Sequence, residues 1–409
     1  MLTAPAVLPL VRVRSALSPP RPARPLRIRT ITAGVGIARL TDLRRIEDAM
    51  GMLERSRKVF EGYEFEVQTI RVATPALLAD ASPQAREASL RQLKALDDLA
   101  TERNVPVSIG PVLVADRADP ELPAWAVELV RTTRMLSFTA VVAAQDRGVL
   151  GQAAAVSAET MVGLARSTPG GIGNFRFAAA ACIPPGSPFF PAAYHRGPDA
   201  LAIGMEAASL VEQAFAEPRG NAGASEHLRR RLDEALAPVE RTALAIARRE
   251  AKAYLGIDPS PAPGKDRSIG AAIEALARVP FGDAGTLEAC SAITAALKTL
   301  RVRTCGYAGL MLPVLEDPVL ARRATEARFG VQDLLLYSSV CGTGLDTVPL
   351  PGDTPVEVVT RIIHDVATLA TRLRKPLSAR LFLIPGKSAG EVAQFDDPFL
   401  TDSAVLSAQ

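Results

Sequence analysis

Strand-like and helix-like segments alternate along this chain from Leu26 onward, and no other feature restricts the fold as strongly. Ile28–Thr32 reads as a strand, helical periodicity covers about 40–60, and Phe65–Ala73 (FEVQTIRVA) is β-branched and alternating, as a strand should be. A charged helix over about 84–104 precedes the strand Val105–Val112. A helix near 121–131 precedes the strand Ser137–Ala144, and one near 153–166 leads through a glycine-rich turn to Asn174–Ile183. Units that repeat in this way predict an α/β fold, a mainly parallel sheet covered by helices.

The middle of the chain changes character. From Pro198 to Leu255 the pattern is helical, with Leu228, Leu232, Leu236, Val239, Ala243 and Ile246 at steps of three and four. A proline-rich loop and two short helices carry it to Leu300, so a helical insertion over about 198–300 is expected. Alternation then resumes, with a helix over Thr354–Arg374 and a strand over Leu377–Ile384. Both ends of the chain supply strands around the insertion, which suits a sheet closed into a barrel. The expected organisation is a disordered basic tail over 1–25, one domain over 26–400 and a short tail over 401–409.

Charge excludes one class of partner. Seven arginines precede the first acid, Asp42, and the remainder carries 40 basic against 44 acidic side chains, giving no support for nucleic-acid binding. No apolar run approaches the ~20 residues of a membrane span, so no membrane insertion is expected. Cys182, Cys290, Cys305 and Cys341 show no C-x-x-C spacing, which favours free thiols in a reducing, cytoplasmic setting.

Three stretches hold the residues suited to chemistry. In Ser339–Asp353, Cys341 lies against Gly342, Thr343 and Gly344, Asp346 follows, and Pro349, Pro351 and Gly352 stiffen the exit. Asp353 before Thr354 and Pro355 reads as a helix cap. A rigid loop with a thiol and acids is read as a site, although a free cysteine also packs well as a small hydrophobe. In Pro169–His195, Asn174 and Arg176 would share one side of a strand, where a guanidinium can grip a carboxylate bidentately or pair with an internal acid. Four prolines then deliver Tyr194 and His195, the best imidazole acid/base candidate. Glu316, beside Asp317 at a strand end, and Asp353 supply oxygen ligands for Mg²⁺ or Ca²⁺ if a metal is bound. Lys387, ending the last strand, is placed to hold an anion.

The motifs GGIGNFRFAAAACIPPGSPFFPAAYH, GYAGLMLPVLED, VCGTGLDTVPLPGD and LSARLFLIPGKSAGE resemble the signature stretches of the DUF711 family, also called UPF0210. With IRTITAGVGI, YEFEVQTIRVAT and VSIGPV, the resemblance runs over roughly residues 26 to 400. It implies a closed barrel of about ten strands, related to that of pyruvate formate-lyase-like glycyl-radical enzymes, surrounded by helices. In those enzymes a loop carries a cysteine into the barrel centre, and Cys341 is its natural counterpart. Arg303–Ala308 looks superficially like a glycyl-radical segment, but it precedes Cys341 and a hundred residues follow it, so no radical is expected.

The resulting expectation is an enzyme acting on a small polar, carboxylate-bearing metabolite. Cys341, Asp346 and His195 would be catalytic, with Asn174, Arg176, Tyr194, Gly342, Thr343, Gly344 and Lys387 binding the substrate. The rival is a metabolite sensor without turnover, working with an amino-acid-binding ACT-domain partner of the kind the resemblance implies. The small alanines and leucine stripe of 198–300 further predict a homodimer through that region.

Overall fold

A computed structural model describes residues 25–216 and 223–408. All but the last residue of the expected basic tail therefore lies outside the described residues. Ten strands form one sheet: β1 (Arg27–Gly34), β2 (Val67–Ala73), β3 (Val107–Leu113), β4 (Leu136–Ala144), β5 (Gly148–Val149), β6 (Phe177–Ala181), β7 (Ala200–Glu206), β8 (Ala253–Asp258), β9 (Gly344–Pro351) and β10 (Leu377–Ile384). The order is β8-β7-β1-β2-β3-β4-β6-β10-β9, with β5 against β4. Strands β1, β2, β3, β4 and β6 run parallel to one another. On either side a parallel pair runs the opposite way, β7 with β8 and β9 with β10.

The expected closed barrel is met in part. The ten strands form a single sheet, but its ladder stops at β8 and β9. The segment from Arg303 to Pro313 runs beside both edges: Ile257 on β8 exchanges backbone hydrogen bonds with Arg303 and Cys305, and Pro313 bridges to Asp346 on β9. The sheet is also strongly curved. Arg29 on β1 and Arg380 on β10, five places apart in strand order, both bond Glu316.

Helices cover the sheet. They are α1 (Leu43–Gly62), α2 (Pro83–Arg103), α3 (Leu122–Thr132), α4 (Gly151–Ser167), α5 (Ala208–Phe215), α6 (Ala224–Arg249), α7 (Ile269–Ala277), α8 (Thr286–Lys298), α9 (Pro318–Thr325), α10 (Val331–Ser338) and α11 (Val356–Arg372). Their ends follow local chemistry. Ser82 accepts from Ala85 N–H ahead of Pro83, and Asn104 closes α2 in the left-handed conformation. Asp317 serves two helices at once, taking Ile269 and Gly270 N–H at the start of α7 and Val319 and Leu320 N–H at the start of α9.

Three sequence readings change. The stretch 198–300 is not a helical insertion alone, because β7 and β8 lie within it and extend the sheet. Every residue of β7 is buried, and a strand apolar on both faces carries no two-residue alternation to distinguish it from a buried helix. The leucine stripe of α6 is buried within the chain. Asp353 does not cap α11, which begins at Val356 after Pro355, and Asp353 is exposed. At the C-terminal end, the two-residue strand β12 (Ser403–Ala404) pairs with β11 (Val392–Ala393), binding the expected tail back onto the body.

Candidate functional site

Three sheet strands each contribute an arginine, and the curvature of the sheet brings these arginines to one cavity. It encloses about 150 Å³ and is lined by Arg29 from β1, Thr69 and Arg71 from β2, Arg380 from β10 and Asp346 from β9. Glu316 completes the charged set from the one-turn helix before α9. Thr69 and Arg71 are two residues apart on one strand, which puts them on the same face. Phe175, Phe189, Phe190, Met311 and Phe399 form much of the apolar lining.

The charges are arranged as a relay with one member left over. Arg29 donates from Nη1 to Glu206 Oε2 at 3.3 Å and from Nη2 to Glu316 Oε2 at 3.0 Å. Arg380 donates from Nη2 to Glu316 Oε1 at 2.6 Å and from Nε to Asp346 Oδ1 at 2.7 Å. Burial works against the Arg380 charge, but Asp346 and Glu316 more than offset it and hold the guanidinium above its ordinary value. Burial, reinforced by the like charge of Glu316, pushes the Asp346 carboxyl up although Arg380 opposes the shift. Glu206 has a fully buried side chain, and burial raises it despite Arg29, Arg27 and Arg267 around it.

Arg71 is the remaining member. It is 7% exposed and, among the described residues, forms no ion pair. Its Nη1 donates to Pro188 O at 3.1 Å, while Nε is buried without an acceptor. Burial, followed by the like charges of Arg29 and Arg380, pushes it down to about 9, which leaves it cationic at neutral pH. All three arginines lie over aromatic rings: Arg71 over Phe190 at 5.2 Å, Arg380 over Phe175 at 5.1 Å and Arg29 over Phe399 at 5.8 Å. Such stacking suits weakly hydrated guanidinium groups in an apolar wall.

A β-bulge aims Asp346 at Arg380. The pairing of β10 with β9 runs from Ala379–Leu345 to Leu381–Val348, so Asp346 and Thr347 together oppose Arg380. Thr347 takes φ 44°, a conformation that is an outlier for a β-branched residue, and its buried hydroxyl has no partner. Bulges that re-aim a side chain recur beside active sites.

Of the residues singled out from sequence, Asp346 and Glu316 line this cavity and the others do not. Cys341 is 1% exposed within the main hydrophobic core, its carbonyl accepting from Lys375 Nζ at 2.6 Å. The glycine-flanked loop that suggested a site is instead a close backbone crossing. A Cβ on Gly342 would stand 2.2 Å from Gly309 Cα, and one on Gly344, at φ 86°, would stand 2.4 Å from Ser378 O. Thr343 passes its carbonyl to Ser378 N–H at 2.8 Å.

Asn174 and Arg176 lie in a 3₁₀ stretch, Pro169–Arg176, before β6, so they do not alternate along a strand as expected. Arg176 donates to the carbonyls of Leu136, Val130 and Thr133, and Asn174 Nδ2 donates to Met161 O at 3.1 Å. Burial lowers Arg176 to about 10. Tyr194 donates to Ile183 O at 3.1 Å. His195 Nε2 lies 2.8 Å from Pro198 O, and its ring packs on Gly34, where a Cβ would fall 2.2 Å from Nδ1. Lys387 lies in the turn after β10 and takes no part in the cavity lining.

For the expected metal, Glu316 lines the cavity while Asp353 is exposed elsewhere. No group of three or more His, Cys, Asp or Glu among the described residues is placed to hold an ion. Nor is any helix among them long and apolar enough to cross a membrane. The sequence reading missed Arg29, Arg71 and Arg380. The available signal was an arginine within each of three segments that become sheet strands, RIRTIT, QTIRVA and SARLFLI.

A family model described as Uncharacterised ACR (DUF711) matches residues 22–397. Similar curated proteins include a UPF0210 protein of Pyrobaculum islandicum, 30% identical over 80% of this chain and 75% of that protein. Others are a UPF0210 protein of Pyrobaculum aerophilum, 29% identical over 90% and 87%, and one of Desulforudis audaxviator, 27% identical over 90% and 88%. With a match that spans the sheet, its helices and every charged residue of the cavity, this chain belongs to the DUF711 family.

Proposed function

We propose that the protein is an enzyme that binds a small carboxylate-bearing metabolite in this cavity and moves a proton on it. Arg71 holds the carboxylate, and Asp346 is the acid/base group, positioned by Arg380 and Glu316. The observation that carries this reading is Arg71 itself. A guanidinium more than nine-tenths buried, in no ion pair and with one nitrogen without an acceptor, is an incomplete pair that an anionic ligand completes, since Glu316, the acid that acts on it through space, is already bonded to Arg29 and Arg380. Asp346 supports the catalytic half, since a carboxyl raised by burial at a bulged, strained strand position has the properties of a proton-transfer group. Cys341 and His195 have no role in this reading.

We further propose that the sheet acts as a closed barrel around the cavity, with the segment Arg303–Pro313 spanning the gap between β8 and β9. The bridges on both edges support this.

The test is exchange of solvent deuterium into a panel of small carboxylates incubated with the protein. The expected result is exchange into at least one of them, abolished in Asp346→Asn while binding persists. Binding without exchange in the wild type would favour the sensor instead, and exchange that survives in Asp346→Asn would remove Asp346 from the mechanism.

A further inference from the structure

Accepting that an anion completes Arg71, the cavity also constrains the rest of the ligand. We infer that the ligand class is a monoanion: one carboxylate on a compact apolar body, not a dicarboxylate and not a phosphate ester. Three observations converge on this.

The first is the charge inventory. Of the three arginines lining the cavity, Arg29 is engaged by Glu206 and Glu316, and Arg380 by Glu316 and Asp346. Arg27 and Arg267 lie behind them, facing Glu206, Asp266 and, for Arg27, Glu66. Only Arg71 among the lining cations forms no ion pair, and Glu316, which acts on it through space, is already bonded to Arg29 and Arg380. The cavity therefore offers one unmet positive charge. A second ligand carboxylate would meet Glu316 or Asp346, both acidic, or would have to displace one of them from Arg380. In a buried site like charges are poorly screened, so that arrangement is disfavoured. A phosphate faces the same difficulty, since its charge approaches two at neutral pH and it presents three acceptor oxygens to a single free guanidinium.

The second is the remainder of the wall. Phe175, Phe190 and Phe399 present rings already stacked on the three guanidinium groups, and Met311 and Phe189 add further apolar surface. Thr69 is the one uncharged polar side chain in the lining, and its hydroxyl donates to Arg29 O at 2.6 Å. A ligand body rich in hydroxyl groups would find few partners there and would leave polar groups unpaired.

The third is size. A volume of about 150 Å³, that of a cavity known to accept benzene, favours a compact ligand body.

The experiment titrates the full-length protein with isobutyrate and benzoate as monoanions, succinate as a dianion, inorganic phosphate, and benzamide as the uncharged counterpart of benzoate. Binding is followed by calorimetry and thermal shift at fixed ionic strength. The expected order places isobutyrate or benzoate at least about tenfold tighter than succinate, phosphate and benzamide. Arg71→Met should lose that binding, and Lys94→Met, an exposed control, should keep it. Crystals soaked in benzoate provide a readout that does not depend on any variant folding, with the carboxylate expected on Arg71. Succinate or phosphate binding more tightly, and still through Arg71, overturns the monoanion class while leaving an anion pocket intact. If no probe binds, or if binding is the same in a folded Arg71→Met protein or sits away from Arg71 in the crystal, the anion-pocket reading fails with it.

Discussion

Arg380 and Asp346 meet at the one break in the pairing of β9 with β10, Nε to Oδ1 at 2.7 Å, and the same guanidinium continues to Glu316. One cation thus separates two buried acids. Arg380→Met would leave both carboxylates without it, and breaking a buried ionic arrangement by removing one partner costs about 3–5 kcal/mol. Urea unfolding at pH 7 should show a loss of that order, partly recovered at lower pH as the raised Asp346 carboxyl takes up a proton. A loss below about 1 kcal/mol would mean that the relay contributes little to the fold.

The raised Asp346 carboxyl fixes the sign of a pH effect. Its folded pKa lies above the unfolded value of about 3.9. The folded chain therefore holds a proton that the unfolded chain has released. The associated stability is fully present below about pH 4 and is lost as pH rises through the folded pKa. Asp346→Asn removes this term. The stability of the wild type relative to Asp346→Asn should decline as pH is raised from about 4, measured by denaturant titration at several pH values. A rising difference would show that Arg380 dominates and holds the carboxyl low instead.

An unpaired buried guanidinium is a burden on the empty protein. Arg71→Met should leave stability unchanged or raise it, by up to about 4 kcal/mol, while abolishing anion binding. The carbonyl of Pro188, which Arg71 now bonds, keeps a second donor in Thr32 Oγ1 at 3.0 Å. Destabilisation by more than about 2 kcal/mol would falsify the view that Arg71 is uncompensated by the fold.

The crossing of Gly309 and Gly342 gives a steric prediction. A methyl group at 342 would sit 2.2 Å from Gly309 Cα and 2.6 Å from its carbonyl carbon. Backbone cannot swing aside as a side chain can, so Gly342→Ala should cost at least the 1–3 kcal/mol typical of overpacking. Chemical denaturation checks this. A near-neutral result would show that the two segments can separate without loss.

The β-then-α alternation, read from hydrophobic period alone, placed most elements close to where they lie, because each strand and helix must bury one recognisable pattern of side chains. Helix ends such as Ser82–Pro83 and Asp317–Pro318 were equally local matters. The motif stretches carried the family. Where local pattern was silent, the reading failed: β7 is buried on both faces and so has no alternation to distinguish it from a helix. The candidate site depended still more on the tertiary structure. Cys341 and its glycines looked chemical in sequence, yet Gly342 serves a backbone crossing and the thiol lies in the core. Asp346 was visible as an acid beside a rigid loop, but its partner Arg380 is 34 residues away on the neighbouring strand. Arg29 and Arg71 reach the same cavity only because the sheet curves β1 and β2 toward β9 and β10. Sequence determines which side chains can be buried and with what period. Which buried charges find a partner depends on strand order and curvature, and only the folded chain shows that Arg71 is left without one.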